Sequence, residues 1–256
     1  MELIGYIIAG SLVGFVVGMT GVGGGSLMTP LLLFFGFPPA TAIGTDLLFA
    51  AITKSSGTFL HNKSKTIDWT TVGWLASGSL PATLVTIYGL NQLEDIGKSY
   101  EGVLTVSLGV MLILTSLVLL YRNRIQAHPV EPGSWLQRHR RAITLITGVA
   151  LGVLVTLSSV GAGAFGAAIL MYLYPHMSNR QIVGTDLAHA IPLTALAGLG
   201  HLHLGNVDFQ LLGALLVGSL PAIYFGTKLG AKLPDKVMKP ILASALMLLG
   251  IKYALF

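Results

Sequence analysis

Long apolar runs separated by short polar loops make up most of the chain. Residues 3–45 contain no Asp, Glu, Lys, Arg or His, and residues 142–175 share this property. Each run is far longer than the roughly 20 residues that a helix needs to cross a hydrocarbon core. Each run therefore predicts two consecutive membrane segments. Because Glu2 and no basic residue precedes the first run, we expect this run to be retained rather than removed as a signal peptide.

Six further apolar runs have the length of membrane helices, three in each half of the chain. They are residues 40–60, 70–90 and 102–121, followed by residues 182–200, 209–226 and 240–256. Together with the two leading runs, they predict an all-α integral membrane protein with about 8–10 membrane-penetrating helices. The predicted location is the cell membrane, as a multi-pass protein of the bacterial inner membrane type.

The composition agrees with a membrane protein surrounded by lipid. Only 10% of residues are charged, against about 25% in an ordinary soluble domain, while 53% are hydrophobic and the mean hydropathy is +0.77. A soluble chain of this length would leave about a third of its unfolded surface exposed to water. The formal charge of +5 does not indicate nucleic acid as a partner, since most basic residues lie in loops between apolar runs. The absence of cysteine excludes disulfides and thiolate metal sites.

The sequence contains two related halves. The motif Gly-Thr-Asp-Leu at residues 44–47 returns at residues 184–187, and Gly-Ser-Leu-Pro-Ala at residues 78–82 returns at residues 218–222. Several motifs in nearly constant register indicate an internal repeat. The predicted organisation is a first transmembrane repeat at residues 1–121, a basic cytoplasmic linker at 122–141 and a second transmembrane repeat at 142–256.

The charges of the loops predict that the two halves have opposite orientations. If each leading run forms a two-segment hairpin, each half enters the membrane an odd number of times, and the second half is inverted. The arginine-rich residues 122–141 are assigned to the cytoplasm by the positive-inside rule. Lys63, Lys65 and Arg180 then fall on the same side, whereas Lys98 falls outside. Inverted repeats are common in secondary transporters, where two similar halves exchange conformations to give alternating access.

Glycine-rich segments lie in the middle of both leading runs, at residues 21–25 and 161–166. We predict broken or re-entrant helices there, with new helices starting near Ser26 and Ala164. Such helix ends direct their positive N-terminal amides at a cavity and bind anions. The alternative is that these glycines only let helices pack closely. The candidate substrate-binding residues in these segments are Gly23, Gly24, Gly25, Ser26, Gly161 and Gly163.

Asp46 and Asp186 occupy matching positions at the start of apolar runs, each preceded by Gly-Thr. Ionisable residues in membrane segments are costly to bury and often carry protons or bind ligands. Both residues are therefore candidates for proton coupling, and the neighbouring Thr45 and Thr185 are candidates for substrate binding. The alternative is that the aspartates only cap the N-termini of their helices.

Lys54 and His189 lie within predicted membrane segments and have no counterpart of the same type in the other half. Lys54 is a candidate ligand for an anion, and His189 is a candidate for carrying a proton near neutral pH. Lys54 has the alternative of extending towards the cytoplasmic loop, and a single histidine has the alternative of a structural role. His61 and His201 match each other but form no recognisable metal-ligand spacing, so no metal site is predicted.

These motifs together resemble the sulfite exporter TauE/SafE family. The resemblance rests on the glycine-rich segment that ends in Gly23-Gly24-Gly25, the Pro30 that follows it, Gly44-Thr45-Asp46, and the repeated Gly-Ser-Leu-Pro-Ala. It covers nearly the whole chain in both halves. It implies a permease for small anions, often sulfite or organosulfonates such as sulfoacetate, that works without ATP hydrolysis. The second half departs from the glycine pattern at residues 161–163, which read Gly-Ala-Gly.

The predicted function is a secondary transporter that moves a small anion, with protons or another ion as the coupling partner. No enzymatic activity, no cofactor and no nucleic-acid partner are predicted, and a homo-oligomer is compatible with the sequence. Two alternatives remain open: a passive anion channel, and an intramembrane aspartyl protease in which the two aspartates share a proton. The protease is disfavoured because its Gly-x-Gly-Asp motif is absent from both halves.

Overall fold

The computed structural model describes residues 2–20, 27–95, 100–127, 130–131, 133–230 and 235–255. Within these ranges the chain forms helices joined by loops and turns, without β-strands. The predicted all-α class is therefore confirmed. The first glycine-rich segment, residues 21–25, and the adjoining Ser26 lie outside the described residues.

Helices of matching order form the two halves. The first half contains α1 (Glu2–Thr20), α2 (Met28–Phe34), α3 (Pro39–Lys63), α4 (Trp69–Asp95) and α5 (Glu101–Ala127). The short α6 (Trp135–Arg138) lies in the linker. The second half contains α7 (Arg140–Ser158), α8 (Phe165–Leu173), α9 (Asn179–His203), α10 (Phe209–Gly230) and α11 (Asp235–Leu255).

Four helices of the described chain are long and apolar enough to cross a membrane, at Glu101–Arg122, Arg140–Ser158, Asn179–His203 and Phe209–Gly226. Shorter apolar helices occur at Leu3–Val16 and Ala243–Leu255. By contrast, α2 has 7 residues and α8 has 9. At about 1.5 Å per residue, neither can cross a core of about 30 Å. The number of penetrating helices, about 8–10 by the sequence estimate, stays a prediction.

Each predicted run coincides with a helix, although several helices extend beyond the predicted runs, most of all at the linker. Helix α5 continues beyond Tyr121 to Ala127, and α7 begins at Arg140, so both ends of residues 122–141 are helical. Arginine and glutamine are good helix formers, and polar residues can extend a helix beyond the apolar part that sets the predicted boundary. The two ends of the linker are therefore helical, which the apolar pattern does not predict.

Glycine residues allow two equivalent pairs of helices to pack with their backbones in direct contact. In α4, Gly78 lies against the carbonyl of Leu145 in α7, and in α10, Gly218 lies against the carbonyl of Ile7 in α1. A side chain at either glycine would overlap the backbone of the neighbouring helix. The glycine of each Gly-Ser-Leu-Pro-Ala motif therefore serves close packing, as small residues commonly do between membrane helices.

The matching helices α3 and α9 run antiparallel. Thr45, near the start of α3, accepts a hydrogen bond from the amide of Asp208, just beyond the end of α9 (3.1 Å). In the same way Thr185, near the start of α9, accepts from the amide of Asp68, just beyond the end of α3 (3.0 Å). Antiparallel counterparts are what inverted halves require, although the orientation of each half in a membrane stays a prediction.

A valine at Gly78 is expected to destabilise the protein by about 1–3 kcal/mol, because the added side chain overpacks the contact with Leu145. Gly73, in the same helix, has open space where a side chain would lie. Gly73→Val is therefore a matched control for the loss of glycine within α4. Thermal unfolding in detergent should show a lower midpoint for Gly78→Val only. Equal midpoints for the two variants would contradict the packing role.

Candidate functional site

The second glycine-rich segment is a break between α7 and α8. Helix α7 ends at Ser158 and α8 begins at Phe165, close to the predicted start at Ala164. Gly161 and Gly163 have φ angles of 111° and 157°, which glycine adopts at little cost. The carbonyl of Gly161 accepts the amides of Gly163 (2.9 Å) and Phe165 (3.1 Å), which closes the turn into α8.

Lys54 reaches this break from the other half of the chain. Its side chain is buried, with 5% of its surface exposed, and its Nζ donates to the carbonyl of Ala162 (3.0 Å). The alternative in which Lys54 extends towards the cytoplasmic loop is therefore wrong. The break was expected to present amides to an anion, but its contact with a charged side chain is made by a carbonyl oxygen. The attraction between an ammonium and a carbonyl dipole explains this pairing.

Asp46 joins the start of α2 to the same break. It is fully buried, and its Oδ2 accepts from the amide of Thr29 (3.2 Å), from the Thr29 hydroxyl and from the hydroxyl of Ser159 (3.0 Å). Asp46 is the eighth residue of α3, which begins at Pro39, so it does not cap its own helix. Instead it holds the first turn of α2, where the amides favour a negative charge.

Asp186 occupies the matching position in α9 but has different surroundings. Only 2% of its surface is exposed, and its Oδ1 has no hydrogen-bond partner among the described residues. A side chain at Gly166, in the first turn of α8, would touch this oxygen. The N-cap of α9 is Ser178, which forms a capping box with Gln181. Capping of their own helices is thus wrong for both aspartates.

Lys54 is the electrostatic centre of the group. Its positive charge acts on the buried carboxylates of Asp186 and Asp46, and it also opposes a positive charge on His189. His189 is fully buried, its Nε2 contacts the hydroxyl of Ser79 (2.9 Å), and its Nδ1 has no partner in the described part of the chain. One buried cation is therefore shared by two carboxylates from opposite halves.

The two threonines of the Gly-Thr-Asp motifs are used in contacts between the halves. As described above, Thr45 and Thr185 accept the amides of Asp208 and Asp68. Each of these aspartates also caps the following helix, because Asp208 accepts from the amide of Leu211 and Asp68 from that of Thr71. Substrate contact by either threonine hydroxyl stays a prediction.

The matching histidines lie in the last turns of α3 and α9. His61 Nδ1 contacts the hydroxyl of Thr66 (2.8 Å), and His201 Nε2 contacts the carbonyl of Thr156 (2.9 Å). Among the described residues, no group of His, Asp and Glu has the arrangement of a metal site. The contacts of both histidines are those of polar residues that fix loop geometry.

The structure adds partners that the sequence did not single out. Thr29, Ser79 and Ser159 contact the predicted site residues, but each is a common hydroxyl residue in an apolar run. A possible signal for Thr29 and Ser159 was their position beside the glycine-rich segments. The candidates Gly23, Gly24, Gly25 and Ser26 lie outside the described residues, so their part in the site stays a prediction.

An all-helical bundle with apolar spans and a buried charged centre at a helix break defines a multi-pass membrane transport protein. Polar groups at such depth are retained where they serve a passing ligand or ion. The sulfite exporter TauE/SafE family profile matches residues 6–253, and the chain belongs to this family.

Two bacterial proteins are similar to this chain over almost its whole length. The probable membrane transporter protein YjnA of Bacillus subtilis (strain 168) is 36% identical over 255 residues, covering 96% of this chain and 97% of YjnA. The probable membrane transporter protein YdhB of the same strain is 32% identical over 230 residues, covering 89% of this chain and 90% of YdhB. No solved structure matches the chain. The predicted family and the multi-pass membrane location are thus confirmed.

Proposed function

We propose that this transporter is a secondary permease that moves a small anion, sulfite or an organosulfonate such as sulfoacetate, together with protons. The observation that carries the proposal is the buried centre of Asp46, Lys54 and Asp186 at the break between α7 and α8. The family description, a sulfite exporter, supports the choice of anion. The inverted arrangement of the halves is part of this proposal and is supported by the antiparallel contacts of α3 and α9.

Proton coupling follows from the charges of the centre. One lysine and two ionised aspartates leave an excess of negative charge, which opposes the entry of an anion into a site of low dielectric constant. Protonation of an aspartate removes this excess and leaves Lys54 available to the anion. The anion and the proton therefore bind together, and each increases the affinity of the other.

The test is transport by purified protein in proteoliposomes. Sulfite, thiosulfate, sulfoacetate and taurine are offered with and without a pH gradient that is acidic on the substrate side. The expected result is accumulation of one sulfur oxyanion that collapses when a protonophore is added. Accumulation that does not depend on the pH gradient would contradict proton coupling. Absence of transport for all of these compounds would contradict the substrate class.

The second candidate function is a passive anion channel, which Lys54, the one buried lysine or arginine among the described residues, also suits. A channel cannot raise the concentration of its substrate above electrochemical equilibrium, whereas a coupled transporter can. Measurement of substrate accumulation at zero membrane potential distinguishes the two. Equilibration without accumulation, at any imposed pH gradient, would favour the channel.

A further inference from the structure

A small cavity lies beside Asp186 between α5, α8 and α9. It has a volume of about 30 Å³ and is lined by Val118, Leu119, Arg122, Gly163, Ala164, Ala167, Ala168, Val183, Asp186 and Leu187. A cavity needs roughly 10–15 Å³ of such volume to hold a water molecule, so this one has room for water. Its charged lining residues, Asp186 and Arg122, suit water as the occupant.

The cavity lies towards the end of the molecule that carries the basic linker. Gln126, near the end of α5, donates to Asn179, the first residue of α9, so these two helix ends adjoin (3.0 Å). Arg122 lies one turn of α5 before Gln126, and Asp186 lies about 10 Å along α9 from Asn179 by helical rise. The cavity thus occupies part of the short distance between Asp186 and that face.

The two aspartates differ in their access to the cavity. In each of them Oδ1 has no partner among the described residues, and in Asp46 the other carboxylate oxygen is held by Thr29 and Ser159. Asp186, but not Asp46, is among the residues that line the cavity. Among the described residues, Lys54 from α3 interacts with the carboxylate of Asp186, and Arg122 from α5 lines the same cavity. Asp46 and His189 also interact with Lys54. Helix α8 has no charged residue, and the charges of α7 lie in its first turn.

We propose that this cavity is a proton path that connects Asp186 to the face of the basic linker, with Asp186 as the exchanging carboxyl group. This inference rests on the proposed proton coupling. The neutral carboxylic acid of Asp186 transfers its proton to a water in the cavity, which leaves a carboxylate on Asp186 and passes the proton towards the linker face. Lys54 stabilises the carboxylate that remains, and Arg122, which keeps its positive charge at all working pH values, lines the same cavity.

The first experiment narrows the proposed path by placing a larger side chain in the cavity. Ala168→Val adds two methyl groups to a residue that lines the cavity, and Ala214→Val makes the same change at an equally buried alanine in α10. Proteoliposomes with an internal pH dye report the rate of proton movement, and a binding assay reports substrate affinity. We expect about a tenfold slower proton movement in Ala168→Val alone, with substrate affinity unchanged. Equal proton rates in the two variants would overturn the path.

The second experiment does not depend on the folding of Ala168→Val. Because the chain has no cysteine, Val183→Cys introduces a single thiol at the cavity. Silver ions, small enough to follow a water path, are applied to membrane vesicles of either orientation. We expect faster reaction from the linker face. Equal reaction from both faces, or faster reaction from the opposite face, would overturn the proposal.

The wild-type protein separates a failure of this inference from a failure of the proposed function. If accumulation of the substrate by the wild-type protein does not depend on the pH gradient, proton coupling is wrong and the inference fails with it. If coupling is present but neither the filled cavity nor the silver reaction behaves as expected, only the path is wrong.

Discussion

Replacement of Lys54 by methionine is expected to lower the transport rate by about 100-fold or more. Methionine keeps most of the length of the side chain but removes the only described cation that contacts the break at Ala162. The two buried carboxylates then lose the charge that both interact with. An anion entering the centre meets no ammonium group. Initial rates of substrate uptake in proteoliposomes measure the effect.

Two further variants separate the loss of an anion ligand from a loss of folding. Lys252→Met makes the same change at an exposed lysine in α11 and is expected to transport normally. Lys54→Met combined with Asp186→Asn removes one unbalanced carboxylate, so thermal stability should recover while transport stays lost. Transport by Lys54→Met at near the wild-type rate would rule out Lys54 as an anion ligand. Recovery of transport in the double variant would assign Lys54 to charge balance alone.

Gly161→Ala is expected to abolish transport, with a loss of stability of about 1–2 kcal/mol. The φ angle of Gly161 is 111°, which disfavours any residue with a side chain. An added methyl group would also meet the terminal methyl of Met111. Both effects change the turn that carries the carbonyl of Ala162 towards Lys54. Uptake assays and thermal unfolding on the same preparations measure the two losses.

Gly205→Ala supplies the matched control for this backbone change. Gly205 also has a positive φ angle, 74°, but it lies in the loop after α9 and has open space around it. Its alanine variant should lose a similar amount of stability and keep its transport activity. If both variants lose transport in proportion to their stability, the turn at Gly161 has no special role in the site.

Much of the fold could be predicted from the sequence, because apolar length and loop charge are local properties. The break near Ala164 follows from the glycine positions, and the matching order of helices in the two halves follows from the repeated motifs. The burial of Lys54 could not be predicted from the sequence. A lysine in an apolar run has two outcomes of similar cost, extension to the interface or burial beside a polar partner. Only tertiary structure shows that Ala162 supplies that partner.

The role of Asp46 could not be predicted either, because its partners too are brought together only by the tertiary structure. Its partner Ser159 is 113 residues away along the chain, and its partner Thr29 belongs to a helix of seven residues. An aspartate after Gly-Thr near the start of an apolar run has the local pattern of an N-cap. The helix begins earlier than that pattern predicts, since Pro39 is well suited to a first helical turn.

The hydroxyl groups around Asp46 have no equivalents around Asp186. When residues 21–25 are aligned with residues 159–163, Thr29 corresponds to Ala167 and Ser159 corresponds to Gly21, and neither Ala167 nor Gly21 has a hydroxyl group. If the halves exchange conformations, Asp186 therefore cannot gain the hydroxyl contacts that Asp46 has now. The state open to one side of the membrane would then differ in energy from the state open to the other side. The protein without substrate would populate mainly the state of lower energy. Adding a hydroxyl at residue 167 would be a direct way to shift that resting preference.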